Sequence, residues 1–138
     1  MTLFDTINKI LEIAKRQKNV GYVGEGDIYS INNLPNIDYS VIFLTQSNHS
    51  QTTDLMEYHL TVYYVDRLMN DDSNRLQIQS QGISVLKNLF NVISEELDID
   101  ISDVTYTTFT HKFKDNCSGV FANITITTDN ELGMCSYE

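Results

Sequence analysis

Basic residues are scarce in this chain. Lysine and arginine number 9 against 19 aspartates and glutamates, for a formal net charge of -10. Such a surface repels nucleic-acid phosphate, which argues against a sequence-reading or scaffolding role on DNA. Cysteine occurs twice, at Cys117 and Cys135. Two cysteines do not make the disulfide framework of a small secreted domain. One bridge is allowed by the count, but free or buried thiols are the expectation for a cytosolic protein. No apolar run approaches the roughly 20 residues that span a bilayer. The stretch MTLFDTINKI has neither the basic n-region nor the continuous apolar h-region of a signal peptide. The expectation is a soluble protein, made in a cytoplasm and without membrane contact. Proline occurs once and tryptophan is absent, so amphipathic contact surface must come from the 8 tyrosines. No repeat or low-complexity segment is present.

Catalytic and metal motifs are missing too. His49, His59 and His111 stand at no metal-ligand spacing from one another or from a cysteine. No G-x-S-x-G, H-E-x-x-H, C-x-x-C or P-loop occurs. Gly21 to Asp27 (GYVGEGD) is glycine-rich. It follows a helix rather than a strand, lacks a nearby cation and carries Glu25 and Asp27, so it suits a short edge strand and turn better than a phosphate loop. Asp98 to Asp103 (DIDISD) spaces aspartates as a calcium loop does, without the glycine and closing glutamate. Glu95 and Glu96 point in different directions on a helix. No catalytic, metal-binding or cofactor-binding residue is assigned, no cofactor is expected, and the chain is expected not to be an enzyme.

What is present is periodicity. In LMEYHLTVYYVDR, Met56, Tyr58, Leu60, Val62 and Tyr64 fall on one face and Glu57, His59, Thr61, Tyr63 and Val65 on the other, which predicts a long strand. LMNDDSN supplies turn and cap residues. A long helix follows, with Val85, Leu86, Leu89, Phe90, Val92, Ile93 and Leu97 on one stripe. An N-terminal helix is predicted from about Leu3 to Gln17, capped by Thr2 and stopped at Asn19 and Gly21. INNLPNID reads as a loop, and YSVIFLT as a central strand apolar on both faces. QSNHSQTT reads as a flexible hairpin loop, and DIDISD as an acidic exit from the long helix. VTYTTFTHKF and GVFANITIT are two further strands, before a polar tail. At 138 residues this is one α+β domain: a mainly antiparallel sheet of four or five strands, with both helices on one face.

Charge is unevenly spread. No lysine or arginine occurs between Asn19 and Asp66. Cations cluster at the end of the first helix (Lys15, Arg16, Lys18) and around the turn (Arg67, Arg75). A positive patch opposite an acidic surface suits head-to-tail contact between copies; a solvated acidic face is the plainer account. The face with Glu57, His59, Thr61 and Tyr63 makes poor core and good contact surface. Asp66–Arg67 reads as a structural pair, because no nucleophile or second acid accompanies it. The candidate inter-subunit contacts are Arg16, Lys18, Glu57, His59, Tyr63, Asp66, Arg67 and Arg75.

Four short runs carry a resemblance: Tyr63-Tyr64-Val65-Asp66-Arg67-Leu68; Asp72-Ser73-Asn74 followed by Ile78-Gln79-Ser80-Gln81-Gly82; Phe109-Thr110-His111-Lys112-Phe113-Lys114-Asp115; and Cys117-Ser118-Gly119-Val120. Together they resemble a family of small virion proteins of tailed phages and gut-bacterial prophages, including the crAss-like phages. Members are similar to tail-terminator, tail-completion and head-to-tail connector proteins, and the likeness spans nearly the whole chain. It implies a non-enzymatic ring subunit at the head–tail junction, in six or twelve copies, joined to the portal and other neck or tail proteins. DNA would pass its lumen without sequence-specific binding, and acidity suits such a conduit. The alternative expectation is a small acidic binding or regulatory domain of the host that engages a basic protein partner.

Overall fold

The computed structural model of the protein describes residues 2–18, 20–27, 39–112 and 116–129. Chain order is α1 (Leu3–Lys15), β1 (Tyr22–Glu25), β2 (Val41–Gln46), β3 (Ser50–Gln51), β4 (Leu55–Arg67), α2 (Arg75–Leu97), β5 (Asp100–Lys112) and β6 (Cys117–Asp129). The fold is α+β with a mostly antiparallel sheet, as the periodicities require. The sheet has six strands, one more than the expected upper count, and the extra one is the two-residue β3. Strand order is β1-β2-β4-β6-β5, with β3 beside β4. The β1–β2 pairing is parallel, and the others are antiparallel. Asn19, the loop around Pro35, residues 113–115 and the tail from Asn130, Cys135 included, lie outside the described residues.

The long strand is the centre of the sheet. β4 pairs with β6 in unbroken register from Leu55↔Asp129 to Arg67↔Cys117, and with β2 from Val41↔Val65 to Gln46↔Leu60. Period-two alternation sends Tyr58, Leu60, Val62 and Tyr64 toward the helices, where Ile42, Leu44, Ile124 and Ile126 join them. α1 contributes Ile7, Ile10 and Ile13, and α2 contributes Leu86, Leu89 and Ile93. These side chains are at most 8% exposed, so the apolar stripes of both helices are spent on one sheet face. A smaller cluster of Val41, Phe43, Val65 and Cys117 forms apart from that core, with Tyr63 and Phe109 packed against it. In β2 and β4 its members alternate with the helix-facing residues, which places it on the outer sheet face.

Local chemistry sets the element ends. The Thr2 hydroxyl accepts the Asp5 N–H at 3.1 Å and caps α1. Asn74 occupies the N-cap position of α2 without capping it. Its Oδ1 accepts the Met69 N–H at 2.9 Å and its Nδ2 donates to the Arg67 carbonyl at 3.1 Å. The side chain therefore spends its polar atoms on bracing the β4–α2 turn. Asp98 ends α2 in the left-handed region, at φ 51, which a short polar side chain tolerates.

Two expectations are corrected in detail. DIDISD is not only an exit: β5 already starts at Asp100, and Asp103, at φ 54, sits in a bulge between Ser102 and Thr105. QSNHSQTT is not merely a loop, since it contains β3. The edge strand and turn at GYVGEGD are β1 and Gly26, which has φ 140.

Candidate interaction surfaces

Two regions of the outer sheet face differ in chemistry. Toward the β4–α2 turn, Tyr63, Phe109 and Phe121 pack as a triplet, with Tyr63 and Phe121 ring centroids 5.3 Å apart. Tyr63 is half-buried there, so its ring is held within the molecule while one side meets solvent. Toward the other end the same face turns polar, because Glu57, His59 and Thr61 on β4 stand opposite Thr127, Thr125 and Asn123 on β6.

His59 is the hub of the polar end. Its Nδ1 lies 3.1 Å from the Thr125 hydroxyl and its Nε2 3.3 Å from the Ser50 hydroxyl. Ser50 in turn donates to the Glu57 carboxylate at 3.1 Å. One proton assignment satisfies all three bonds: Thr125 donates to Nδ1, Nε2–H donates to Ser50, and Ser50 donates to Glu57. In that arrangement the Ser50 proton points at Glu57 rather than at the histidine, so His59 does not prime Ser50 as a nucleophile. The Thr61 hydroxyl donates to the Asn123 Oδ1 at 2.8 Å. Beside these groups is a cleft of about 340 Å³ lined by Ser47, Asn48, His59, Asp103, Asn123 and Thr125. Leu60 and Ile124 complete its lining, and Asp103 is its one carboxylate residue.

The helix layer presents the opposite charge. Arg16, Gln17 and Lys18, just past α1, border a groove with Gln81, Ser84 and Asn88 of α2. The Asn88 amide donates to Gln17 Oε1 at 3.0 Å. The Arg16 guanidinium is paired with Glu96 of the same chain, so it is partly neutralised within the molecule, while Lys18 is exposed.

The remaining candidates gather at the β4–α2 corner. Asp66 Oδ1 accepts the Arg67 backbone N–H at 2.7 Å. The Arg67 guanidinium lies 4.8 Å from the centroid of the Tyr39 ring, a cation–π contact. Arg75 opens α2 and is exposed. Met69 and Leu76 beside it are 58% and 68% exposed, an apolar element of this corner that sequence periodicity did not single out.

The eight candidates thus divide among three places: Glu57, His59 and Tyr63 on the outer sheet face, Arg16 and Lys18 at the helix-layer groove, and Asp66, Arg67 and Arg75 at the corner. Sequence reasoning missed His49, Ser50, Asp103 and Thr125 as neighbours of His59. Only the hairpin loop carried a signal for them, as a long polar connection of the kind that makes contacts. Among the described residues no helix is long and apolar enough to cross a membrane. No family model matches the chain, and no curated protein matches it significantly.

Proposed function

We propose that the chain is a non-enzymatic ring subunit of a tailed-phage head-to-tail connector or tail terminator, assembled as a cyclic homo-oligomer of six or twelve copies. The observation that carries this reading is the placement of complementary surfaces on opposite layers. A cleft lined by Asp103 and by His59, Asn123 and Thr125 of the outer sheet face holds one carboxylate residue. A groove with Arg16 and Lys18 opens on the helix layer. Two different patches that match each other favour heterologous, head-to-tail contact, and such contact closes a ring when the rotation per copy divides the circle. The family resemblance of the sequence supplies the setting: portal and other neck or tail proteins as neighbours, and the virion head–tail junction as the location. A net charge of -10 suits a lumen through which DNA slides without sticking.

Light scattering across a range of protein concentrations tests the reading. A single species at six or twelve times the 15.8 kDa chain mass supports it. A monomer that also fails to assemble on portal and tail proteins overturns it. Tight capture of one basic protein by that monomer would identify an acidic binding domain instead.

A further inference from the structure

The hairpin between β2 and β4 contains a surplus residue. Gln46 pairs with Leu60, and Ser50 pairs with Glu57. Ser47, Asn48 and His49 therefore oppose only Tyr58 and His59, and the ladder opens there. The Ser47 N–H still reaches the His59 carbonyl at 2.9 Å. The His59 N–H has a side chain as its acceptor: it donates to Nδ1 of His49 at 3.2 Å.

That bond is the end of a directed chain. Gln46 Nε2 donates to Glu25 on β1 at 3.5 Å, which leaves Gln46 Oε1 facing the His49 Nε2 at 3.1 Å. An amide oxygen only accepts, so Nε2 of His49 carries the proton and Nδ1 is the bare nitrogen. His49 is thus in its neutral form, with its one lone pair on the β4 backbone. The Tyr58 ring meets it edge-on at 5.5 Å between centroids.

We propose that His49 is a pH-operated latch, which holds segment Gln46–Gln51 against β4 when neutral and releases it when protonated. A proton on Nδ1 sets an N–H against the His59 N–H. The bond becomes a repulsion, and no other lone pair of His49 can replace it. The surroundings do not rescue the cation. His59 on β4 faces it, Glu57 is already bonded to Ser50, and Glu25 is reached only through Gln46. The neighbouring cleft is lined by Ser47 and Asn48 of the segment rather than by His49; Asp103 is its one carboxylate residue, and Asn123 and Thr125 are uncharged. Desolvation, and then the neighbouring His59, hold the His49 pKa below the ordinary histidine value. The sign follows: a depressed folded pKa means the latch is complete above about pH 6.5 and is lost as pH falls through the folded value.

Amide hydrogen exchange on the full chain, corrected for intrinsic rates, tests this between about pH 7.5 and about pH 5. Protection of the His59 amide and of segment 47–51 is expected to fall by up to about tenfold per pH unit from about pH 6.5 down to the folded pKa of His49 and to level off below it, while the β4–β6 ladder stays protected. His49→Gln, whose amide oxygen accepts without titrating, should keep the segment closed throughout. His49→Ala should leave it open at every pH. In His59→Gln the pH-dependent loss should persist with its midpoint moved up. A flat wild-type profile, the same loss in His49→Gln, or its disappearance in His59→Gln would each overturn the latch.

Discussion

Gly119 is on β6, where it faces Val65 of β4. A Cβ at this position would lie 1.9 Å from the Tyr64 carbonyl oxygen, a clash with backbone that no rotamer relieves. Gly119→Ala should therefore destabilise the fold by about 3 kcal/mol or more, read as a lower urea midpoint with unchanged slope. Gln79 makes a complementary case. It is a buried polar side chain on α2, and its amide is 3.3 Å from each of Phe109 O, Thr110 Oγ1 and Ser118 Oγ. Gln79→Ala would remove a donor from the buried Ser118 hydroxyl and from two part-buried acceptors, of which the Phe109 carbonyl keeps the Ser118 hydroxyl, at a cost of about 1–2 kcal/mol, checked by the same unfolding measurement. Both residues fall in runs that carried the family resemblance. That they act on neighbouring strands was not legible, because Gln79 and Ser118 are 39 positions apart.

Among the elements, the β4–α2 connection shows how turn chemistry and helix chemistry compete. The run DDSN suits either use. Here Asp71 Oδ1 accepts the Ser73 N–H at 3.1 Å, and hydrogen bonds from Ser73 hold the Asp71 carboxyl below its usual range. Asn74 braces the turn with two bonds. Asn74→Ala should cost about 1–2 kcal/mol, seen as a lower melting temperature, and should loosen residues 68–74 in hydrogen exchange. Period-two and helical patterns located both helices and the long strands, since burial of one face enforces those periods. The bulges escaped that reading, including a second shift of the β5–β6 register between Thr110 and Lys112. The surplus at Ser47–His49 and the kink at Asp103 are counts of one strand against another, and one strand's sequence does not contain its partner's register.

For the whole molecule, charge is the property with consequences outside the fold. If the acidic cleft of one copy receives the basic groove of the next, Asp103→Lys should dissociate the assembly to monomers by light scattering. Lys18→Glu should do the same, and an equimolar mixture of the two variants should reassemble as an alternating ring, because every cleft then meets a groove of opposite charge. Raising salt from about 0.1 M to about 1 M shortens the screening length from about 10 Å to about 3 Å, and the assembled mass should fall accordingly.

The sequence by itself determined the one-sided apolar patterns, the acidic balance and the order of helices and long strands. Each follows from the period and chemistry of residues close together in the chain. Only the tertiary structure decided which polar groups meet. His59 gains Ser50 from β3 and Thr125 from β6, and His49 gains the backbone of β4. The candidate contacts likewise separate onto opposite layers. The physical reason is that hydrogen-bond partners are set by strand register and layer packing, which join positions far apart in sequence through short-range forces.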